Sequence, residues 1–329
     1  FLFIIFSLLF SSSFAQSVEE QQAMKLFQEG KKNEAAIIFE KIIASNPSNL
    51  SAINALGFMY LELGKNNEAY NVSSKGLLIN KNDDNLNINK ARAAIKMEKA
   101  DEAILLMDAC IARDASFFMP YYVKGNAFDK QHKIQLAIGM YSKVIQLNPN
   151  FPNAYLDRGN DFIAISRYPQ AISDYDKVLS LVPESNEAYN MRGVANYNLE
   201  KYNEAIADYT KAIAFGNFDA ITNRGVAYTD QGKNDLAKTD LAKAISLNPK
   251  NASDAYFNLT GILNKEQKYE DALINITKAV TLKPNNPLYQ ALYAGILLNL
   301  KKDNDGLATA NKVLTLDAKN RDGFIYKAT

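Results

Sequence analysis

The stretch YNMRGVANYNLEKYNEAIADYTKAI, Tyr189 to Ile213, decides the fold, because YLDRGNDFIAISRYPQAISDYDKVL, Tyr155 to Leu179, resembles it at a shift of 34 residues. A fixed period changes the question from how many globular domains the chain holds to how many copies of one unit it stacks. Walking the shift in both directions gives nine units, 16–49, 50–83, 84–117, 118–151, 152–185, 186–217, 218–251, 253–286 and 287–320. The sixth is two residues short and Ala252 is one extra; both irregularities fall between units, where a loop absorbs them.

Each unit reads as two amphipathic helices joined by a short turn. In the fifth, Tyr155, Arg158, Gly159 and Phe162 recur at helical spacing. Tyr168-Pro169 interrupts, and Ala171, Tyr175 and Val178 resume the pattern before Pro183. Gly64-Lys65 and Gly232-Lys233 mark turns inside units, while Asn46-Pro47, Asn148-Pro149 and Asn248-Pro249 mark loops between them.

The most regular position of the second helix holds Ala35, Ala69, Ala103, Ala137, Ala171, Ala205, Ala237, Ala272 and Gly306, all small. Helices that cross closely need a residue without bulk at the contact, since added methylenes cost ~1–3 kcal/mol of strain. A second small position, in the first helix, holds Gly57, Gly125, Gly159, Gly193 and Gly225, with Ala23, Ala91, Thr260 and Ala294 in the other units. Glycine inside a helix costs ~1 kcal/mol against alanine, so five in register imply a packing reason. Aromatic side chains at Tyr121, Tyr155, Tyr189 and Tyr256, and at Phe39, Tyr141, Tyr175 and Tyr209, are placed to fill such holes.

This pattern resembles the tetratricopeptide repeat, a helix-turn-helix of 34 residues, over residues 16–320. Units one, three and nine are degenerate: Glu19, Asn87 and Gln290 stand in the aromatic position, and unit nine also has Gly306 and no terminal proline. The resemblance implies an all-α, right-handed superhelical solenoid of about nine repeats, with a concave groove lined by the first helices. Members often grip a partner's C-terminal carboxylate with Lys and Arg in that groove. Here the corresponding positions of the middle units hold Asn, Asp, Thr or apolar residues, so that clamp is not expected.

Composition narrows the function. The chain of 329 residues is 47% hydrophobic, enough for a sizeable core, and Lys+Arg 37 against Asp+Glu 36 leaves a net charge of +1. No basic surplus exists for a phosphate backbone, so no nucleic-acid partner is expected. The single cysteine, Cys110, excludes an intrachain disulfide and a zinc site of several thiolates, and the single histidine, His132, leaves little for a metal site or triad. Cys110 falls in a core position and His132 in a turn. No nucleophile elbow, phosphate loop, zinc-protease helix or dinucleotide fingerprint occurs, so neither catalytic residue nor cofactor nor metal is assigned.

Residues 1–15 differ from the rest. Phe1 to Phe10, FLFIIFSLLF, followed by Ser13-Phe14-Ala15, matches the apolar region and cleavage site of a secretory signal peptide, though without an initiator Met or positive leader. Cleavage after Ala15 and export to a periplasmic or extracellular location are expected, with no membrane span in the mature chain.

Three units show a correlated change: Arg158, Arg192 and Arg224 share one position, and Asp174, Asp208 and Asp240 share another, sixteen residues later. The pairing by type predicts contact, either inside one hairpin or from one unit's Asp to the next unit's Arg. A ladder of partly buried ion pairs setting the angle between repeats is expected.

The remaining positions on the first helices form the candidate partner-binding set: Tyr122, Asn126, Asp157, Asn160, Asn190, Thr222, Asn223, Phe257 and Asn258. An Asn amide offers donor and acceptor together to a peptide group, while Tyr122 and Phe257 supply apolar contact. The expected function is a non-enzymatic scaffold binding a peptide segment or folded partner in the groove. The alternative is the docking region of a larger enzyme or signalling protein. Residues 321–329 start a further helix in register, with Phe324 in the aromatic position, too short to cap the last apolar face. That face is expected to meet a further segment or to support end-to-end self-association.

Overall fold

Short polar residues ahead of each apolar period start the first helix of most units. Ser17 accepts from the Glu20 amide at 3.1 Å while Glu20 reaches back to the Ser17 amide at 2.9 Å, a reciprocal cap. Asn49, Asp83, Ser185 and Asn286 cap their helices likewise. The computed structural model describes residues 17–317; the expected signal segment and residues 321–329 lie outside them.

Eighteen helices alternate along the described chain. The first helices of the hairpins are α1 (Val18–Gln28), α3 (Leu50–Glu62), α5 (Asp84–Lys96), α7 (Phe118–Lys130), α9 (Pro152–Ala164), α11 (Asn186–Asn198), α13 (Asp219–Asp230), α15 (Ser253–Lys265) and α17 (Pro287–Asn299). The second helices are α2 (Lys32–Ser45), α4 (Asn66–Ile79), α6 (Ala100–Arg113), α8 (Ile134–Leu147), α10 (Tyr168–Leu181), α12 (Tyr202–Ala214), α14 (Asn234–Leu247), α16 (Tyr269–Leu282) and α18 (Asp303–Leu316). Two compact units divide at Asp161 and Phe162, within α9. Each is an array of stacked antiparallel hairpins without a strand among the described residues, the all-α fold class expected.

Hairpins close on the small positions. Ala35, Ala69, Ala103 and Ala137 in the first unit, and Ala171, Ala205, Ala237 and Ala272 in the second, are all fully buried. The glycines of the first helices make room for a side chain sixteen residues on. A Cβ on Gly125 would lie 2.6 Å from the Tyr141 ring, and one on Gly193 would lie 2.7 Å from the Tyr209 ring. Tyr141 and Tyr209 are buried accordingly, as are Phe39 and Tyr175. Cys110 is buried too, and burial, with Asp84 nearby, pushes its thiol up to about 12, an inert apolar role.

The turn inside every hairpin uses one left-handed residue: Gly30, Gly64, Glu98, His132, Ser166, Glu200, Gly232, Gln267 and Lys301. At Glu200 the amide donates to Tyr197 O and the Lys201 amide to Asn196 O, both at 2.9 Å, closing the C-terminus of α11.

The arginine and aspartate positions meet inside one hairpin. Arg192 of α11 holds Asp208 of α12, and Arg224 of α13 holds Asp240 of α14 at 2.7 and 2.9 Å. The arginines also reach the second helix of the preceding hairpin. Arg158 donates to Ser142 in α8 and Arg224 to Thr210 in α12, both at 2.9 Å. Arg192, which also reaches Asp176, and Arg224 thereby tie successive hairpins.

Candidate functional site

Within each unit the first helices of neighbouring hairpins touch one another: α3 with α5, α5 with α7, α11 with α13, α13 with α15, and α15 with α17. Among the described residues no pair of second helices makes contact of that extent. The first helices therefore line the crowded, inner side of each array. Hydrogen bonds tie them laterally: Asn89 Nδ2 to Asn54 Oδ1 at 2.7 Å, Tyr122 Oη to Asp157 Oδ2 at 2.7 Å, and Asn223 Nδ2 to Asn190 Oδ1 at 3.0 Å.

All nine residues expected to face a partner sit half-buried on first helices. Tyr122, Asn126, Asp157 and Asn160 belong to the first unit; Asn190, Thr222, Asn223, Phe257 and Asn258 belong to the second. Their polar groups are more committed than the sequence suggested. Asn190 and Asn223 bond one another, Asn258 donates to Asp254 O of its own helix at 2.8 Å, and Phe257 stacks on Tyr289 at 4.8 Å.

The structure gathers Tyr122, Asn126 and Asp157 at one cavity of about 550 Å³ between α5, α7 and α9. Asp129 and Tyr141 share its lining, and Arg92, Lys96 and Lys130 add positive charge to it. Tyr141 Oη lies 2.8 Å from Asn126 Oδ1 and in hydrogen-bond contact with Asp129 Oδ2. Burial, and then the Asp157 charge, pushes the phenols of Tyr122 and Tyr141 above their usual range. Asp161, one turn beyond Asp157 on α9, is buried beside Asp129. Burial raises both carboxyls, and the Asp129 charge helps push Asp161 up to about 8. No group of His, Cys, Asp and Glu among the described residues is arranged to hold a metal ion.

A second cavity, of about 600 Å³, lies in the second unit where the sixth repeat is short. Thr222 lines it with Asn186, Asn248 and Asn251, and exposed Phe218 and Leu247 stand at its edge.

Asp129, Asp161 and Arg92 were not legible as site residues. Asp129 and Asp161 occupy different positions of their units, so no repeat column flags them.

Family comparisons agree with the geometry. The description "Tetratricopeptide repeat" matches residues 156–220 and again 218–251, and that of the anaphase-promoting complex, cyclosome, subunit 3 matches residues 28–110. The chain belongs to the tetratricopeptide repeat superfamily. A curated relative, a DnaJ homolog subfamily C member 3 homolog from Dictyostelium discoideum, is 26% identical over 121 residues, 32% of this chain and 24% of that protein. This tetratricopeptide repeat chain thus spans about a quarter of the curated relative it matches. Among solved structures, that of the APC/C hetero-tetramer Cut9-Hcn1 superposes with a TM-score of 0.61 at 16% identity, covering 91% of this chain and 59% of that one, a likeness of fold. YrrB, described as a TPR protein with an unusual peptide-binding site, gives a TM-score of 0.44 at 21% identity, over 57% of this chain and 98% of that one. The fold is that of a non-catalytic scaffold family. No helix of the described residues is long and apolar enough to cross a membrane.

Proposed function

We propose that the inner face of the first helices binds an extended segment or a folded surface of a protein partner, and that the chain performs no catalysis. The observation that carries this reading is the cavity between α5, α7 and α9, which combines apolar walls from Ile88, Ile95 and Val123 with the polar groups of Tyr122, Asn126 and Asp157. Its size suits a few side chains of a ligand. The pattern of few polar groups on an apolar wall suits recognition of a peptide better than bond-breaking chemistry.

Site-specific photo-crosslinking tests it. A benzophenone side chain at Asn126 or Thr222, on first helices, should capture one contiguous stretch of partner sequence. The same group at Leu105 or Ile274, exposed on second helices, should not. Capture from the outer positions alone sinks the reading.

The reading includes export, on the apolar run of residues 1–10 and the small residues before Gln16. Amino-terminal sequencing of protein recovered outside the producing cell should begin at Gln16; recovery only inside, with residues 1–15 retained, contradicts it. A second reading, a docking region within a longer protein, draws support from the curated relative, where the matched part is 24% of the whole.

A further inference from the structure

Five Asn-x-Ser/Thr triplets occur in the chain, at Asn49, Asn71, Asn251, Asn258 and Asn275. In an exported protein such a triplet accepts an Asn-linked sugar where its amide lies on an open surface loop. The fold sorts the five. Asn49 caps α3: its Oδ1 accepts from the Ala52 amide at 3.0 Å and its Nδ2 donates to Glu20 at 3.1 Å. Asn258 and Asn275 lie half-buried within α15 and α16, and donate to Asp254 O and Asp271 O at 2.8 and 2.9 Å. A sugar on any of these amides competes with a bond the fold uses. Asn71 is exposed, but it stands within α4 rather than on a loop.

Asn251 meets the requirement. It lies between α14 and α15, outside both helices, and it is exposed. Its backbone amide donates to Asn248 O at 3.1 Å, so the loop keeps its shape without the side chain. Among the described residues that side chain makes no hydrogen bond.

The surroundings suit a sugar. Asn251 lines the cavity of about 600 Å³ at the short sixth repeat. Thr222 and Asn248 line it too, and neither side chain has a hydrogen-bond partner among the described residues. A hydroxyl and an amide each donate and accept, as a sugar hydroxyl does. Of the described residues in that lining, Asp219 alone is charged, which favours an uncharged, hydroxyl-rich group. Phe218 and Leu247, 59% and 51% exposed, offer apolar surface at the edge to the C–H face of a sugar ring.

We propose that Asn251 carries an Asn-linked glycan whose first sugar rests at this cavity. This rests on the export reading, since the transfer belongs to the route out of the cell. Asn251 Nδ2 forms a bond to the anomeric carbon of an oligosaccharide carried on a lipid diphosphate. The bond from that carbon to the diphosphate oxygen breaks, the oxygen keeps the electron pair, and the amide gives up one proton. Transfer acts on the chain before it folds, so the burial of Ser253 at the start of α15 does not prevent it. The folded protein has to accommodate only the sugar on the amide.

The test uses the full chain recovered outside its producing cell. Treatment with an amidase that releases Asn-linked glycans should lower its intact mass. The amidase leaves Asp at each acceptor, so treatment in heavy-oxygen water followed by peptide mapping should mark residue 251. Asn251→Gln should be exported like the parent and match the treated parent in gel mobility. The untreated parent should melt above the treated parent, and Phe218→Ala, which keeps the acceptor, should narrow that gap.

An exported chain of unmodified mass overturns the proposal. So does a glycan at Asn71 or another triplet with residue 251 unmarked, and equal melting with and without the glycan removes the seat at the cavity. Amino-terminal sequencing of the same sample separates the two readings: a start at Gln16 with no glycan leaves export standing, whereas recovery only inside the cell, unmodified, sinks both. Asn126 lies in the other unit, so crosslinking there tests the inner face independently of the glycan.

Discussion

Arg192 holds Asp208 through two nitrogens, Nε at 3.0 Å from Oδ2 and Nη2 at 2.6 Å from Oδ1, while its Nη1 reaches Asp176 of the preceding hairpin at 2.5 Å. One guanidinium thus joins α11, α12 and α10. The two carboxylates differ in burial: the side chain of Asp208 is 8% exposed and that of Asp176 is 55% exposed. Asn196 adds a donor to Asp208 at 3.0 Å, so the buried carboxylate is fully served. Removing Arg192 leaves Asp208 buried without its charge partner. A double-mutant cycle of Arg192→Ala and Asp208→Ala, read by chemical denaturation, should show coupling of about 1–3 kcal/mol. Asp176→Ala should cost under ~1 kcal/mol, as exposed pairs do. Zero coupling between Arg192 and Asp208 would reduce the pair to a bystander of the fold.

The left-handed turn residues give a second expectation. An L-residue with a side chain pays ~1–2 kcal/mol in that conformation, and glycine does not. Only Gly30, Gly64 and Gly232 among the nine intrahairpin turn residues avoid it. Glu200, with φ 60°, is exposed and its backbone is already committed to the turn. Glu200→Gly should therefore raise stability by about 0.5–1 kcal/mol, net of the added freedom of the unfolded chain. Gly232→Ala should lower it by a similar amount. Thermal melts of the two variants moving in the same direction would contradict the argument.

The period, the small positions and the arginine–aspartate pairing were legible because each repeats within one chain, so nine units act as nine observations of one packing rule. What occurs once was not legible. Asn89 is fully buried and bonds Asn54, yet asparagine is common here and nothing separates it from a solvated one by type. The left-handed turn position hid for another reason: six of its nine residues are not glycine, so composition does not mark it. The Asp129 and Asp161 contact joins different positions of neighbouring units, and the shift of 34 residues does not align them. The sequence also left open whether arginine and aspartate meet within a hairpin or between hairpins. The lengths of the two helices and the tight turn bring residues sixteen apart face to face, which decides it.

Glycine to alanine exchanges separate the packing glycines from the idle ones. A Cβ on Gly193 would meet Tyr209 Cε1 at 2.7 Å, and that ring is buried with little room to retreat. Gly193→Ala should cost about 1–3 kcal/mol through overpacking, more than the helix propensity it gains. Gly139, exposed on α8, has nothing within 4 Å of such a Cβ. Gly139→Ala should stabilise by up to ~1 kcal/mol. The difference in sign, measured by denaturant midpoints, checks that the first-helix glycines exist to admit a ring.

The Asp129 and Asp161 contact also predicts a pH dependence of stability in the unliganded chain. Burial, and then the charge of Asp129, raises Asp161 to about 8, against about 4 in an unfolded chain. Between those values the folded state binds more protons than the unfolded one, so stability falls as pH rises. The contribution is complete below about pH 4 and is lost as pH passes through about 8. The carboxylates held low, Glu102 beside Tyr70 and Lys90 and Asp254 beside Tyr289 and Lys283, lose their contributions only on the acid side of this window. Cys110, held near 12, titrates above it. A decline between about pH 6 and pH 8.5 is thus assigned to the buried pair. Asp161→Asn supplies a permanent donor in place of the shared proton. It should flatten the decline and exceed the parent by roughly 1–3 kcal/mol at about pH 8.5. Parallel pH profiles for parent and variant in denaturant titrations would show that the two carboxyls share no proton.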